Sequence, residues 1–193
     1  MRIWKSLMLL TAVLFVMAGC GSQAAGYKPI ATVQEFKFTD QEGKPFGLED
    51  LKGKVWVANF IFTSCTTVCP PMTAHMKKLQ TMADDQGIKL EIVSFSVDPE
   101  IDNPEKLKQF AGQFGSSFDN WHFLTGYSQK EIETFSLNSF KTLVKKPESE
   151  DQVIHGTSFY VVDKEGKAVK SYSGIENTPY NEILKDVQRL QDS

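Results

Sequence analysis

Lys54-Val-Trp-Val-Ala-Asn-Phe-Ile-Phe62 runs directly into Thr63-Ser-Cys-Thr-Thr-Val-Cys-Pro70, and this junction decides the fold. Its first half is a near-continuous apolar run. Such a run suits a strand covered on both faces, as in the middle of an α/β sheet. Beyond Pro70, Met72, Met76, Leu79 and Ala83 recur at steps of three and four, with Met82 at the margin, so a helix over 70–86 gathers them on one face. The chain therefore passes from a buried strand to an amphipathic helix, with two cysteines in the turn between them. In open α/β sheets, ligands bind in the crevice beyond the carboxyl ends of the strands. The orphan amides and positive dipole end of a helix N-terminus also stabilise a thiolate. Pro70 and Pro71 discourage the helix from running backward through Cys69, because a residue before proline is pushed out of the α region. Cys65 is then expected in a loop folded over the first turn, close to Cys69.

Outward from this junction the pattern is regular. Residues 35–40 alternate like a strand, 41–44 supply turn chemistry, and 45–48 complete an N-terminal hairpin. Residues 90–97 read as a second buried strand, 104–114 as a helix, 121–124 as a short strand and 129–140 as another helix. A third strong strand over 157–162 closes at the Asp163-Lys-Glu-Gly166 turn and is answered by 168–172. Thr178 as N-cap and Pro179 in the first turn open a terminal helix, with Tyr180, Ile183, Leu184, Val187 and Leu190 on its apolar face. This order implies an α/β domain with a mixed central sheet and helices on both faces. It is the layout of a thioredoxin-like fold with an extra N-terminal hairpin, spanning 33–193. No linker or internal repeat divides it.

Before the domain lies an address. Arg2 and Lys5 precede an apolar run over 7–17 that ends in Ala18-Gly19-Cys20. Eleven helical residues span only about half of a ~30 Å hydrocarbon core, which suits a signal peptide over 1–19 rather than a membrane helix. Small residues directly before Cys20 resemble the lipobox of bacterial lipoproteins, although Met17 stands where leucine is commoner. That resemblance implies lipidation of Cys20 and tethering to the extracytoplasmic face of the cell membrane, with 20–32 as a flexible leash. With 1–19 removed, the formal charge is −5, against −3 for the whole chain of 193 residues. An acidic chain of this kind does not track phosphates, so no nucleic acid is expected as a partner. A monomer is expected, because every apolar stripe has a place in the core.

In an oxidising compartment, Cys65 and Cys69 are the remaining thiols. With three residues between them, they can form a disulfide or converge on a soft metal ion, and the spacing alone does not choose. A third ligand would. Of the three histidines, His75 lies at the margin of the helical stripe, and His122 alternates with Trp121 and Phe123. Both read as structural. His155, in Val153-Ile-His-Gly-Thr157, immediately precedes the strong strand 157–162. Thioredoxin-like domains bring the loop entering this strand against the cysteine motif, often with a cis-proline. Here no proline occurs between Pro147 and Pro179, and an imidazole can hold that place over the two thiols.

Four features in order then resemble the Sco/SenC family of copper-delivery proteins: Phe-Thr-Ser-Cys-Thr-Thr-Val-Cys-Pro over 62–70, Ser96-Val-Asp-Pro99, the isolated His155, and the Asp-Lys-Glu-Gly hairpin. The resemblance covers about 33–190. It implies one copper ion, Cu(I) or Cu(II), bound by Cys65, Cys69 and His155, with Asp98 as a neighbouring partner or fourth ligand. It also implies a role in maturing the dinuclear copper A centre of cytochrome c oxidase subunit II, by delivering metal or by reducing the acceptor's cysteines. Two thiolates and an imidazole suit Cu(I), and an added oxygen would complete a tetragonal set for Cu(II).

Other functions compete. Cys65 and Cys69 at a helix N-terminus suffice for a general extracytoplasmic thiol-disulfide oxidoreductase without metal, with the two cysteines as its catalytic redox pair. A peroxidase is disfavoured, since beyond the leader the one arginine is Arg189, in the terminal helix. A lipoprotein with a structural disulfide, or a zinc site of the same donors, are further alternatives.

Overall fold

The computed structural model describes residues 26–148 and 152–193. The expected signal peptide and Cys20 lie outside the described residues, as do residues 20–25 of the expected leash. A six-stranded sheet runs in the order β1 (Ala31–Thr32), β10 (Lys167–Ser173), β9 (Ser158–Val162), β4 (Trp56–Ile61), β5 (Glu91–Ser96) and β6 (Trp121–Leu124). At its centre is β4, every residue of it buried, paired in parallel with β5 and antiparallel with β9. Strand β6 extends the parallel side; β10 extends the antiparallel side. The mixed sheet follows from the sequence order. Helices α1 (Cys69–Asp85) and α2 (Pro104–Gln113) serve as parallel crossovers, whereas the tight turn at 163–166 can join only antiparallel strands.

Helix α3 (Gln129–Phe140) lays Phe135 and Phe140 on one face of the sheet, against Phe95, with Phe140 also meeting Trp56 and Phe60. Met72, Met76, Leu79 and Ala83 of α1 are fully buried, as their spacing requires, and α1 packs beside the terminal helix α4 (Tyr180–Gln191). The N-terminal hairpin, β2 (Lys37–Thr39) with β3 (Pro45–Gly47), is a separate two-stranded sheet. Phe36 and Phe38 fasten it onto Phe95 and Phe135.

Four details differ from the sequence reading. Ala31–Thr32, the end of the expected leash, form strand β1, which pairs with Ala168 and Lys167 and covers the otherwise open edge of β10. Two residues carry no periodicity by which a strand is recognised. Helix α1 begins at Cys69 itself, because proline is restrained only inside a helix and is accepted in its first turn. Thr178 does not cap α4: Pro179 precedes it without a side-chain cap bond. Finally, β7 (Val144–Lys145) and β8 (Ile154–His155) form a small antiparallel ribbon outside the main sheet. This ribbon carries the histidine.

Candidate metal centre

The centre is assembled from two directions. Strand β4 ends at Ile61, and Phe62 to Val68 turn over the amino end of α1. Cys69 is the first helical residue, and its backbone N–H donates to Cys65 Sγ at 3.4 Å. An orphan helix amide thus points at the sulfur of Cys65. Thr73 Oγ1 donates to the Cys69 carbonyl at 2.8 Å, tying down the first turn.

From the other side comes the β7–β8 ribbon, in which His155 is the register partner of Val144. Its Nε2 lies 3.5 Å from Cys69 Sγ. Its Nδ1 lies 2.9 Å from the Gly156 carbonyl, which can only accept, so Nδ1 carries a hydrogen, and in the neutral imidazole Nε2 presents a lone pair. That is the tautomer a metal-binding imidazole needs, with its other nitrogen held by a backbone carbonyl. The Phe62 ring meets the imidazole edge-on, at a centroid distance of 5.6 Å. Gly156 permits the close approach, since a side chain there would collide with Thr142 Oγ1.

Cys65, Cys69 and His155 offer three donor atoms all within 4.8 Å of one another, the expected triad. Metal–sulfur bonds of about 2.3 Å and metal–nitrogen bonds of about 2.0 Å, arranged trigonally, require donor separations of roughly 3.8 to 4.0 Å. The triad therefore accommodates one soft ion with small side-chain adjustments and no rebuilding of the backbone. Cys69 is fully buried; Cys65 is nearly so, and borders a groove lined by Thr66, Pro70, Phe110 and Phe114.

The two thiols are electrostatically unequal. The Cys69 hydrogen bond holds the Cys65 thiol far below its usual range, with help from the backbone amides of Cys69 and Thr67, and burial opposes this only in part. Cys69, donating to Cys65 and deeply buried, is pushed correspondingly up. The first thiolate to form is therefore that of Cys65.

Asp98 is buried as a motif residue should be, yet it is not part of the donor cluster. Its carboxylate is engaged by Lys146 Nζ at 2.7 Å, which accounts for its burial without a metal. The neighbouring carboxylate that supports the cysteine loop is Asp102, which the sequence reading passed over. It accepts from the Thr63 N–H at 3.2 Å, from Thr63 Oγ1 at 2.5 Å and from Ser96 Oγ at 2.6 Å. Burial pushes its carboxyl above the usual range, and the bonds from Ser96 and Thr63 only partly oppose that. No local sequence pattern marks Asp102, whereas Asp98 stands in the Ser96-Val-Asp-Pro99 motif. His75 and His122 are elsewhere, as expected: one is bonded to Tyr180 OH at 2.6 Å, the other stacked on Phe46 and 3.6 Å from Glu91.

A thioredoxin-like domain presenting a dithiol and an unprotonated imidazole nitrogen at the carboxyl end of its sheet is, as a class, a soft-metal or dithiol redox protein. The SCO1/SenC family model matches residues 24–192, and the chain belongs to this family. It is 54% identical over 188 residues to the SCO1 protein homolog of Bacillus subtilis, covering 97% of each chain. Among solved structures it is similar to BsSco, described as a member of the Sco family of cytochrome c oxidase assembly proteins and as having a disulfide switch. That match has 57% identity and a TM-score of 0.79, and covers 86% of this chain and 97% of the other. Copper-bound ScoI of Bradyrhizobium japonicum matches at 28% identity and a TM-score of 0.67, covering 83% and 99%.

Proposed function

We propose that the protein binds one copper ion through Cys65, Cys69 and His155 and acts as an assembly factor for the dinuclear copper A centre of cytochrome c oxidase subunit II. The observation that carries the reading is the meeting of ligand atoms of Cys65, Cys69 and His155 within 4.8 Å, with His155 Nδ1 turned to the Gly156 carbonyl. Copper is the cargo, and soft sulfur donors favour it over hard cations. Because the sulfurs bind only when reduced and deprotonated, loading depends on both redox state and pH, and closure of a Cys65–Cys69 disulfide would release the ion. The copper-bound relative and the cytochrome c oxidase assembly role of BsSco support the assignment.

Reduction of the acceptor's cysteines is a second activity of the same pair, favoured by the inequality of the thiols. Cys65, the more acidic and the one bordering a groove, attacks an acceptor disulfide; Cys69 then displaces the acceptor by closing the internal disulfide. Two thiols are oxidised to one disulfide and one acceptor disulfide is reduced to two thiols. All three ligand atoms come from one chain, so a monomer suffices. The anchor is proposed to be a lipid on Cys20 at the extracytoplasmic face of the cell membrane. Among the described residues no helix is long and apolar enough to cross a membrane.

The test is titration of the reduced protein with Cu(II). A sulfur-to-copper charge-transfer band in the visible is expected, absent in Cys65→Ser and Cys69→Ser and weakened in His155→Ala. Colourless binding of zinc alone, or a band unchanged in His155→Ala, refutes the assignment. Copper affinity that survives oxidation of the cysteine pair refutes the release mechanism.

A further inference from the structure

The centre has two halves that belong to different pieces of the fold. The cysteines sit at the end of the main sheet, whereas His155 sits on the β7–β8 ribbon, a sheet of its own. What holds the second half over the first is a chain of polar contacts, buried at Ser96 and part-buried at its two ends. Thr63, two residues before Cys65, is gripped by Asp102. Asp102 accepts from Ser96 Oγ, and Ser96 Oγ accepts from the Asp98 N–H at 3.2 Å. Asp98 in turn holds the Lys146 ammonium at 2.7 Å, with Glu100 on the same ammonium at 3.1 Å. Lys146 directly follows β7, and its backbone N–H donates to Glu133 Oε1 of α3 at 3.0 Å. One residue thus fastens the histidine ribbon both to the helix beneath it and to the loop beside the cysteines.

Resting on the copper reading above, we propose that Lys146 is a positioning residue for the metal centre: clasped by Asp98 and Glu100, it holds the β7–β8 ribbon so that His155 Nε2 lies over the dithiol. The pairing is strong for a lysine near a surface. The Asp98 side chain is 2% exposed and that of Lys146 22%, so the contact is largely shielded from water. A buried Asp98 carboxylate left without its partner would draw in water or rearrange. Either response moves the segment that carries the imidazole. Asp98, expected from the sequence as a ligand or a ligand's neighbour, then acts on the metal at one remove.

The test uses Lys146→Met, which keeps the aliphatic stem, Lys146→Arg, and a double-mutant cycle with His155→Ala. Two quantities are read: Cu(II) affinity, and the NMR position of the His155 ring resonances in reduced, metal-free protein. Lys146→Met is expected to lower affinity about tenfold or more, the usual cost of losing a contact that orients a ligand. It should also shift the His155 ring resonances, and Lys146→Arg should restore both. In the His155→Ala background, Lys146→Met should change affinity by no more than about twofold, because its effect passes through the imidazole. The proposal is overturned by an unshifted ring in Lys146→Met, or by an equal loss of affinity with and without His155. Should the wild-type chain fail to bind copper, the proposed function falls, and the ring resonances still decide the role of Lys146.

Discussion

Replacing Asp102 with alanine should weaken the cysteine loop by an amount the structure lets one work out. Three donors lose their acceptor: the Thr63 N–H, Thr63 Oγ1 and Ser96 Oγ. Hydrogen bonds to a charged group contribute about 1.5–3 kcal/mol each, so the gross loss is of order 6 kcal/mol. Two effects reduce it. Both hydroxyls can turn to other acceptors, and the variant no longer bears the desolvation that pushes the Asp102 carboxyl up. A net loss of about 3 kcal/mol remains after allowing for both. With a urea slope of about 2 kcal/mol per molar, the unfolding midpoint of the reduced, metal-free protein should fall by roughly 1.5 M. Asp102→Asn, which keeps one accepting oxygen, should fall by about half as much. A midpoint shift in Asp102→Ala of less than about 0.25 M, at unchanged slope, would refute the claim that this carboxylate supports the loop.

Other expectations concern the thiols, acid stability, the core and the ribbon. Cys65 should be alkylated before Cys69, as peptide mapping after limited labelling would reveal; in Cys69→Ala the pH midpoint for Cys65 labelling should move up, since the main influence lowering it is gone. Equal labelling of the two cysteines would contradict the assigned order. Burial pushes the Asp186 carboxyl up, but hydrogen bonds from Lys170, Tyr172 and Tyr27 outweigh it and leave it below the usual range. Its contribution to stability is therefore complete above about pH 4 and lost as the pH falls through its folded value. Asp186→Asn should be less stable than wild type at pH 7, with the gap closing in acid; a gap independent of pH in denaturation curves would contradict this. Leu79→Ala, at a fully buried position of α1, should cost about 2–5 kcal/mol in urea unfolding, and a cost below about 1 kcal/mol would contradict the packing. Copper should slow amide exchange in the ribbon strands β7 and β8, and unchanged rates would count against His155 as a ligand.

Much of the architecture was legible because its signals are local. The all-buried run of β4 and the three- and four-residue spacing on α1 each follow from burial against neighbours on known faces, and both are observed. The elements that escaped notice are the two-residue strands β1, β7 and β8. They exist because a free sheet edge or an adjacent segment supplies partners, and two residues cannot display a period.

For the centre, the cysteine pair was evident from its place between a buried strand and a helix. His155 followed from its position before β9 together with what thioredoxin-like domains do at that loop. These candidates are properties of the chain, since residue chemistry and position decide which groups are able to meet a soft ion or close a disulfide. Tertiary structure alone decided the contact of His155 Nδ1 with the Gly156 carbonyl and the aim of the Cys69 N–H at Cys65 Sγ, which favours the thiolate there. It also decided that Asp102 supports the cysteine loop while Asp98 holds Lys146, 48 positions away along the chain. Hydrogen bonds and ion pairs act over a few ångströms whatever the sequence separation, so such roles arise only when the folded chain brings distant residues together.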